Sequence, residues 1–155
     1  MNEKITKKIG EAHAFADVLQ ATFESNQAVM EILLGDLSAG VVATAASQSA
    51  ALQAICTAAG TTDVLVPKVA KTSEKITEMG EMYVGDDWDD AAEVLEWMSF
   101  FAGGAIVHWE LIAGAGQAME HAELTEAATA GAAYYESLMQ QLKVAAVQVG
   151  IDRAQ

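Results

Sequence analysis

Cysteine, proline and positive charge are all scarce in this chain of 155 residues. The lone thiol, Cys56, can form no internal disulfide, and the stretch from Met1 to Gly10 mixes charged and apolar residues without an apolar signal core. Both features point to a cytoplasmic protein. Proline occurs once, at Pro67, and alanine supplies much of the 52% hydrophobic content, a balance that favours long helices. No β-branched residues alternate with polar ones over a strand length, so no sheet is expected. Eight Lys and Arg stand against 22 Asp and Glu, for a net charge of −14. Such a surface repels nucleic acid and anionic membranes, and the densest basic group, Lys4, Lys7 and Lys8, offers no local exception. Divalent cations remain compatible partners.

The length fits one domain, residues 1–155, with a buried core. Leu37 to Thr62 contains no charged residue at all. It includes Ser38, Thr44, Ser47, Gln48, Ser49 and Gln53 and is flanked by Asp36 and Asp63 instead of Lys or Arg. These features predict a buried central helix and not a membrane span.

Four long helices and one shorter one are expected from the punctuation. The first runs from about Glu3 to Leu34 and stops at Gly35. At 100° per residue, Phe15, Leu19, Thr22, Phe23, Asn26, Met30 and Leu33 share one side, with Asp17, Glu24 and Glu31 opposite, as in an amphipathic surface helix. Asp36 or Ser38 can cap the second helix, which ends near Gly60. Pro67 suits the first position of a shorter helix ending at Gly85. The third long helix follows Asp86-Asp87-Trp88-Asp89-Asp90 and reaches about Met119. The fourth spans about Thr125 to Val149 and stops at Gly150. Tight connections join helices one to two and three to four, and about 25 residues separate the two pairs. That spacing predicts an all-α four-helix bundle of ferritin-like connectivity, with a short helix in the long crossover.

The third long helix carries the most suggestive residues. From Trp97 to Met119 its only formal charge is Glu110, and apolar side chains occupy every side. A helix of that kind is central or covered by another subunit, so a homo-oligomer, most simply a dimer, is expected. His108 falls on its aromatic face with Trp97 and Phe101, which together would line a small-molecule or haem pocket. It reads either as a metal or haem ligand or as a core histidine bonded to a carbonyl or hydroxyl. Glu110 points about 200° away from His108. If buried, it needs a metal, a lysine or a water-filled interface as partner. Glu136 lies at the edge of the fourth helix's apolar face. His13 and Asp17, an i,i+4 pair, read as surface residues, and His121 reads as part of a solvated acidic cluster. The aspartates at 86–90 read as helix caps before cation ligands. Thr22 and Asn26 are expected to hydrogen-bond across the bundle or line a pocket. Cys56 reads as an inert buried thiol. No Glu stands three residues before a His, and there is no phosphate-binding glycine loop, nucleophile elbow or zinc spacing.

The stretch Ile106-Val-His-Trp-Glu-Leu-Ile-Ala-Gly-Ala-Gly116, followed by Tyr134-Tyr-Glu136, resembles the bacterial ferritin-like stress proteins. Those carry a His-Tyr-Glu-Ile motif in the third long helix and a Glu-containing acidic motif in the fourth. Leu52-Gln-Ala-Ile and Gly60 look like the end of that family's second helix, and the resemblance spans Leu37 to Gln148. It implies a ferritin-like bundle in which Glu110 and Glu136 stand at metal-ligating positions for iron or manganese. Where the family's second helix carries Glu and His ligands, this chain has Gly40 to Thr44, and Gln20 stands near the first helix's ligand position. The ligand set is therefore incomplete, and full di-iron activity is not expected. Three functions remain open: a stress- or metal-related ferritin-like protein, a metal-free bundle acting through homo-oligomerisation, and a small-ligand or haem pocket around His108.

Overall fold

The computed structural model describes residues 1–155 and is all-helical, with no strand. Its helices are α1 (Glu3–Ser25), α2 (Gln27–Leu34), α3 (Ser38–Ala58), α4 (Thr62–Val84), α5 (Ala91–Ala118) and α6 (Ala122–Arg153), with a 3₁₀ turn at Gly35–Leu37. Three of the stops are glycines in the left-handed region, Gly35 (φ 55°), Gly60 (φ 67°) and Gly85 (φ 61°), where a side chain would be strained. Side chains cap the starts of α1, α5 and α6, whereas α3 begins after Leu37 with no side-chain cap, so neither Asp36 nor Ser38 serves as the cap expected there. Asn2 Oδ1 accepts from Ile5 N, and Asp90 Oδ1 accepts from Ala92 N at 2.8 Å. His121 Nδ1 accepts from Leu124 N at 3.3 Å. Asp90 therefore caps α5, as expected of the aspartate run. His121 also serves as a cap, where a merely solvated cluster was expected.

Helix directions follow from side-chain neighbours. Asp17 meets Ser49, and the Phe23–Glu31 stretch faces Ser38–Val42, so α3 runs antiparallel to α1. Gly10 lies against Leu65 and Lys68 while Thr22 faces Thr77, so α4 runs parallel to α1. Gly80 abuts Trp97 and Tyr83 bonds Glu96, so α5 descends against α4. Gly103 sits near Met139, Trp109 on Gly131, and Gly116 on Thr125, so α6 returns along α5. All six helices share the core: α1 packs on α3, α4 and α5, α5 packs on α6, and α2 and α4 add Val29, Met30, Leu33, Leu34, Leu65, Ile76 and Val84 to it. The tightest seam is α5–α6. A Cβ at Gly131 would lie 2.2 Å from Trp109 Cε3, so only glycine lets the indole bed into α6. Trp109 stacks on Tyr135, centroids 6.4 Å apart, and both are fully buried.

Several expectations need correction. The first helix breaks at Asn26, whose side-chain amide bonds Thr22 O and takes the backbone out of helical register. Asn26 and Thr22 thus bond locally and not across the bundle, although both line a small cleft against α4. His13 is buried, with Nδ1 3.1 Å from Asp17 Oδ2, and Asp17 Oδ1 accepts from Ser49 Oγ at 2.5 Å. This is no surface pair, because α1 is covered by α3, α4 and α5 and has no broad solvent face. The uncharged second helix is not buried all round. Only Val41, Ala45, Leu52, Ile55 and Cys56 are enclosed, and alanines and serines face outward. The crossover helix is not short and does not begin at Pro67. It starts five residues earlier, and Pro67 is tolerated because the Asp63 carbonyl it leaves free belongs to an exposed residue. Gly150 does not end the last helix, which continues to Arg153, whose guanidinium pairs with Asp90. Two stretches, Gln27–Ala58 and Ala91–Ala118, are long and apolar enough to cross a membrane by length and composition.

Candidate functional site

Three helix stripes converge on one open groove of about 480 Å³. On α4, Lys68, Thr72, Lys75 and Met79 recur at i, i+4, i+7 and i+11. On α5, Trp97, Phe101, Gly104 and His108 do the same in the opposite direction. Lys8, Glu11 and Phe15 of α1 close the floor. Because α4 and α5 are antiparallel, the polar ends of both stripes meet at one end of the groove and the aromatic ends at the other.

Glu11 organises the polar end. Its side chain is 13% exposed, and its two oxygens take Lys68 Nζ at 2.7 Å and Lys8 Nζ at 2.7 Å. His108 Nε2 stands 3.3 Å from Glu11 Oε2, and its Nδ1 lies 2.8 Å from Gly104 O. With Nδ1 donating to that carbonyl, the ring is held with Nε2 toward the carboxylate. Burial acts most strongly on Glu11 and would raise its pKa. The hydrogen bonds and charges of Lys68 and Lys8 together outweigh it and hold the carboxyl below its ordinary value.

The aromatic end is built by ring-to-ring contacts. Phe15 packs on His108 with centroids 4.8 Å apart and meets Phe101 edge-on at 5.1 Å. Trp97 lies 6.3 Å from Phe101 and is seated against α4 by Gly80, where a Cβ would come within 3.0 Å of the indole. Phe100, 65% exposed, stands beside Tyr83 at the rim, 5.3 Å between centroids.

The structure thus gathers His108, Trp97 and Phe101 in one place, with His108 half-buried and bonded to a carbonyl. It does not gather Glu110 and Glu136. Both are exposed, which removes the need of Glu110 for a buried partner. Opposite Glu110 the α6 residue is near Gly131, so Glu136 is displaced by five residues, about 7.5 Å along the axis. No three His, Cys, Asp or Glu side chains converge to hold a metal ion, so the donor set does not fit an iron or manganese centre. Cys56 is buried, and burial pushes its thiol pKa up, in keeping with an inert thiol.

Glu11 and Lys68 had no local signal. Their significance comes from helices brought together across long stretches of chain, and only the aromatic face around His108 pointed toward the groove. A second polar group sits deeper. Tyr135 Oη and Trp109 Nε1 are buried without hydrogen-bond partners, and Gln48 Oε1 on α3 is likewise unpaired.

Comparisons with protein-family models, curated protein sequences and solved structures find no match to this chain.

Proposed function

We propose that this chain is a ligand-binding helical bundle whose groove between α1, α4 and α5 takes one small molecule with an apolar body. The observation that carries this reading is the meeting of Trp97, Phe101 and His108 on an open groove of about 480 Å³, a size within the usual range of ligand sites. Apolar walls with a few convergent polar groups at one end are what such sites share. The proposal extends to the scaffold. The paired directions of α1 with α3 and α5 with α6, joined through a returning α4, support ferritin-like connectivity. In this reading the resemblance to ferritin-like stress proteins is one of framework, and Glu110 and Glu136 are surface carboxylates.

A titration with 1-decanol, followed by tryptophan fluorescence, tests it. Saturable one-to-one binding is expected in the wild-type chain. Thr72→Phe should abolish it by filling the groove while leaving the helical circular dichroism intact. Binding that survives Thr72→Phe unchanged would place the ligand elsewhere and overturn the reading.

One observation favours a second role, homodimerisation. Phe100, Val107 and Leu111 recur at i, i+7 and i+11 on α5 and are 65%, 58% and 51% exposed. An uncovered apolar strip of this kind marks an interaction surface. Sedimentation equilibrium should give twice the chain mass, falling to one chain in Leu111→Glu. A wild-type chain that is monomeric at high concentration would remove this role and leave the groove untouched.

A further inference from the structure

The groove gathers positive charge in an otherwise acidic chain. The whole chain carries eight Lys and Arg against 22 acidic residues. Three of the lysines, Lys8, Lys68 and Lys75, line this groove with a single carboxylate, Glu11, among its lining residues. The three are not equivalent. Glu11 neutralises part of the charge of Lys8 and Lys68 through two 2.7 Å contacts. Lys75 makes no ion pair, since the chain's ion pairs involve only Lys7, Lys8, Lys68, His13, His108 and Arg153.

On α4, Lys68, Thr72 and Lys75 stand on one face in the order ammonium, hydroxyl, ammonium. All three groups can donate hydrogen bonds to an acceptor-rich head group. Facing this ladder across the groove are Phe101 and Trp97, and Met79 continues the apolar surface one turn further along α4. Charge complementarity therefore defines both ends of an occupant, an anionic head at the lysines and an apolar tail on the rings.

Resting on the ligand-groove reading above, we infer that the natural occupant is an amphipathic carboxylate. Its head sits on Lys75, Thr72 and Lys68, and its chain lies against Phe101 and Trp97. Three ammonium groups against one carboxylate leave the groove with a net positive charge, and Lys75, which has no ion-pair partner, is the group free to meet an anionic head. The same logic excludes cationic amphiphiles, which Lys75 would repel.

The test is a comparison of sodium decanoate, 1-decanol and decyltrimethylammonium by isothermal titration calorimetry at low salt, below the aggregation concentration of each. Decanoate should bind about tenfold more tightly than decanol, as a charge-assisted hydrogen bond gives. The advantage should shrink as salt is raised. Lys75→Met, at an exposed position, should remove that advantage, so that decanoate binds no more tightly than decanol. Equal affinity for decanoate and decanol in the wild-type chain would overturn the anionic head while the ligand groove stands. Discrimination unchanged in both Lys75→Met and Thr72→Val would overturn the assignment to α4. Failure of all three ligands to bind would overturn the groove reading itself.

Discussion

Replacing Gly131 by alanine puts the packing of α5 on α6 to a quantitative test. The added Cβ would lie 2.2, 2.4 and 2.6 Å from Trp109 Cε3, Cδ2 and Cζ3, against ordinary carbon contacts of about 3.5–4.0 Å. The indole cannot simply swing away, because it is 1% exposed and stacked on Tyr135, itself fully buried. Either the ring leaves its rotamer or the helices separate, and overpacking of this kind costs about 1–3 kcal/mol. An overlap this deep belongs at the upper end. Alanine in a helix interior recovers about 0.5–1 kcal/mol relative to glycine. The net loss should be about 2 kcal/mol. Gly114→Ala is the internal control, since it lies in α5, is exposed and has no neighbour within 4 Å of its would-be Cβ. It should stabilise the chain by about 0.5–1 kcal/mol. Urea unfolding followed by circular dichroism reads both. Equal stabilities for the two variants would refute the seam as described, because only at Gly131 does anything stand in the way.

Removing the Tyr135 hydroxyl should not hurt. The group is buried beside the Trp109 indole and makes no well-formed hydrogen bond, so Tyr135→Phe should leave stability unchanged or raise it by up to about 1 kcal/mol. A loss above about 1 kcal/mol in the same urea assay would mean the hydroxyl has a partner after all. Acid sensitivity should trace to two carboxyls. Burial pulls Asp17 toward a higher pKa, but bonds from His13 and Ser49 hold it below 3.8, and Lys68 and Lys8 hold Glu11 below 4.5. Groups whose folded pKa is depressed stabilise fully above their unfolded values and lose that contribution as pH falls through the folded ones. Stability should therefore drop as the pH falls below about 4.5. The double variant Asp17→Asn, Glu11→Gln should be weaker at neutral pH and show a shallower drop. An unchanged acid slope would contradict both assignments.

How much of this was readable in advance depends on how local each signal is. Gly35, Gly60 and Gly85 announce helix ends because a positive φ is a property of one residue. The Asp90 cap is equally local. Pro67 misleads because Leu65, fully buried two residues earlier, anchors the α4 start ahead of it. Absence of charge was taken for burial in α3, yet alanine and serine are as content facing water as facing a neighbour. The misplacement of His13 has a different cause. A helical projection assumes one covered face, and α1 has three. Around the groove, the aromatic stripe of α5 is legible as an i, i+4, i+7, i+11 pattern. Glu11 is not, since its meaning lies in Lys68 and His108, 57 and 97 residues away in the chain.

Hydrogen–deuterium exchange of the intact chain with and without saturating 1-decanol tests the central claim most directly. Slowed exchange confined to the segments around Lys68–Met79 and Trp97–His108, with a smaller effect near Glu11, is the expected footprint. Protection falling instead on α3 and α6 around Gln48 and Tyr134, or no protection anywhere at saturation, would contradict it.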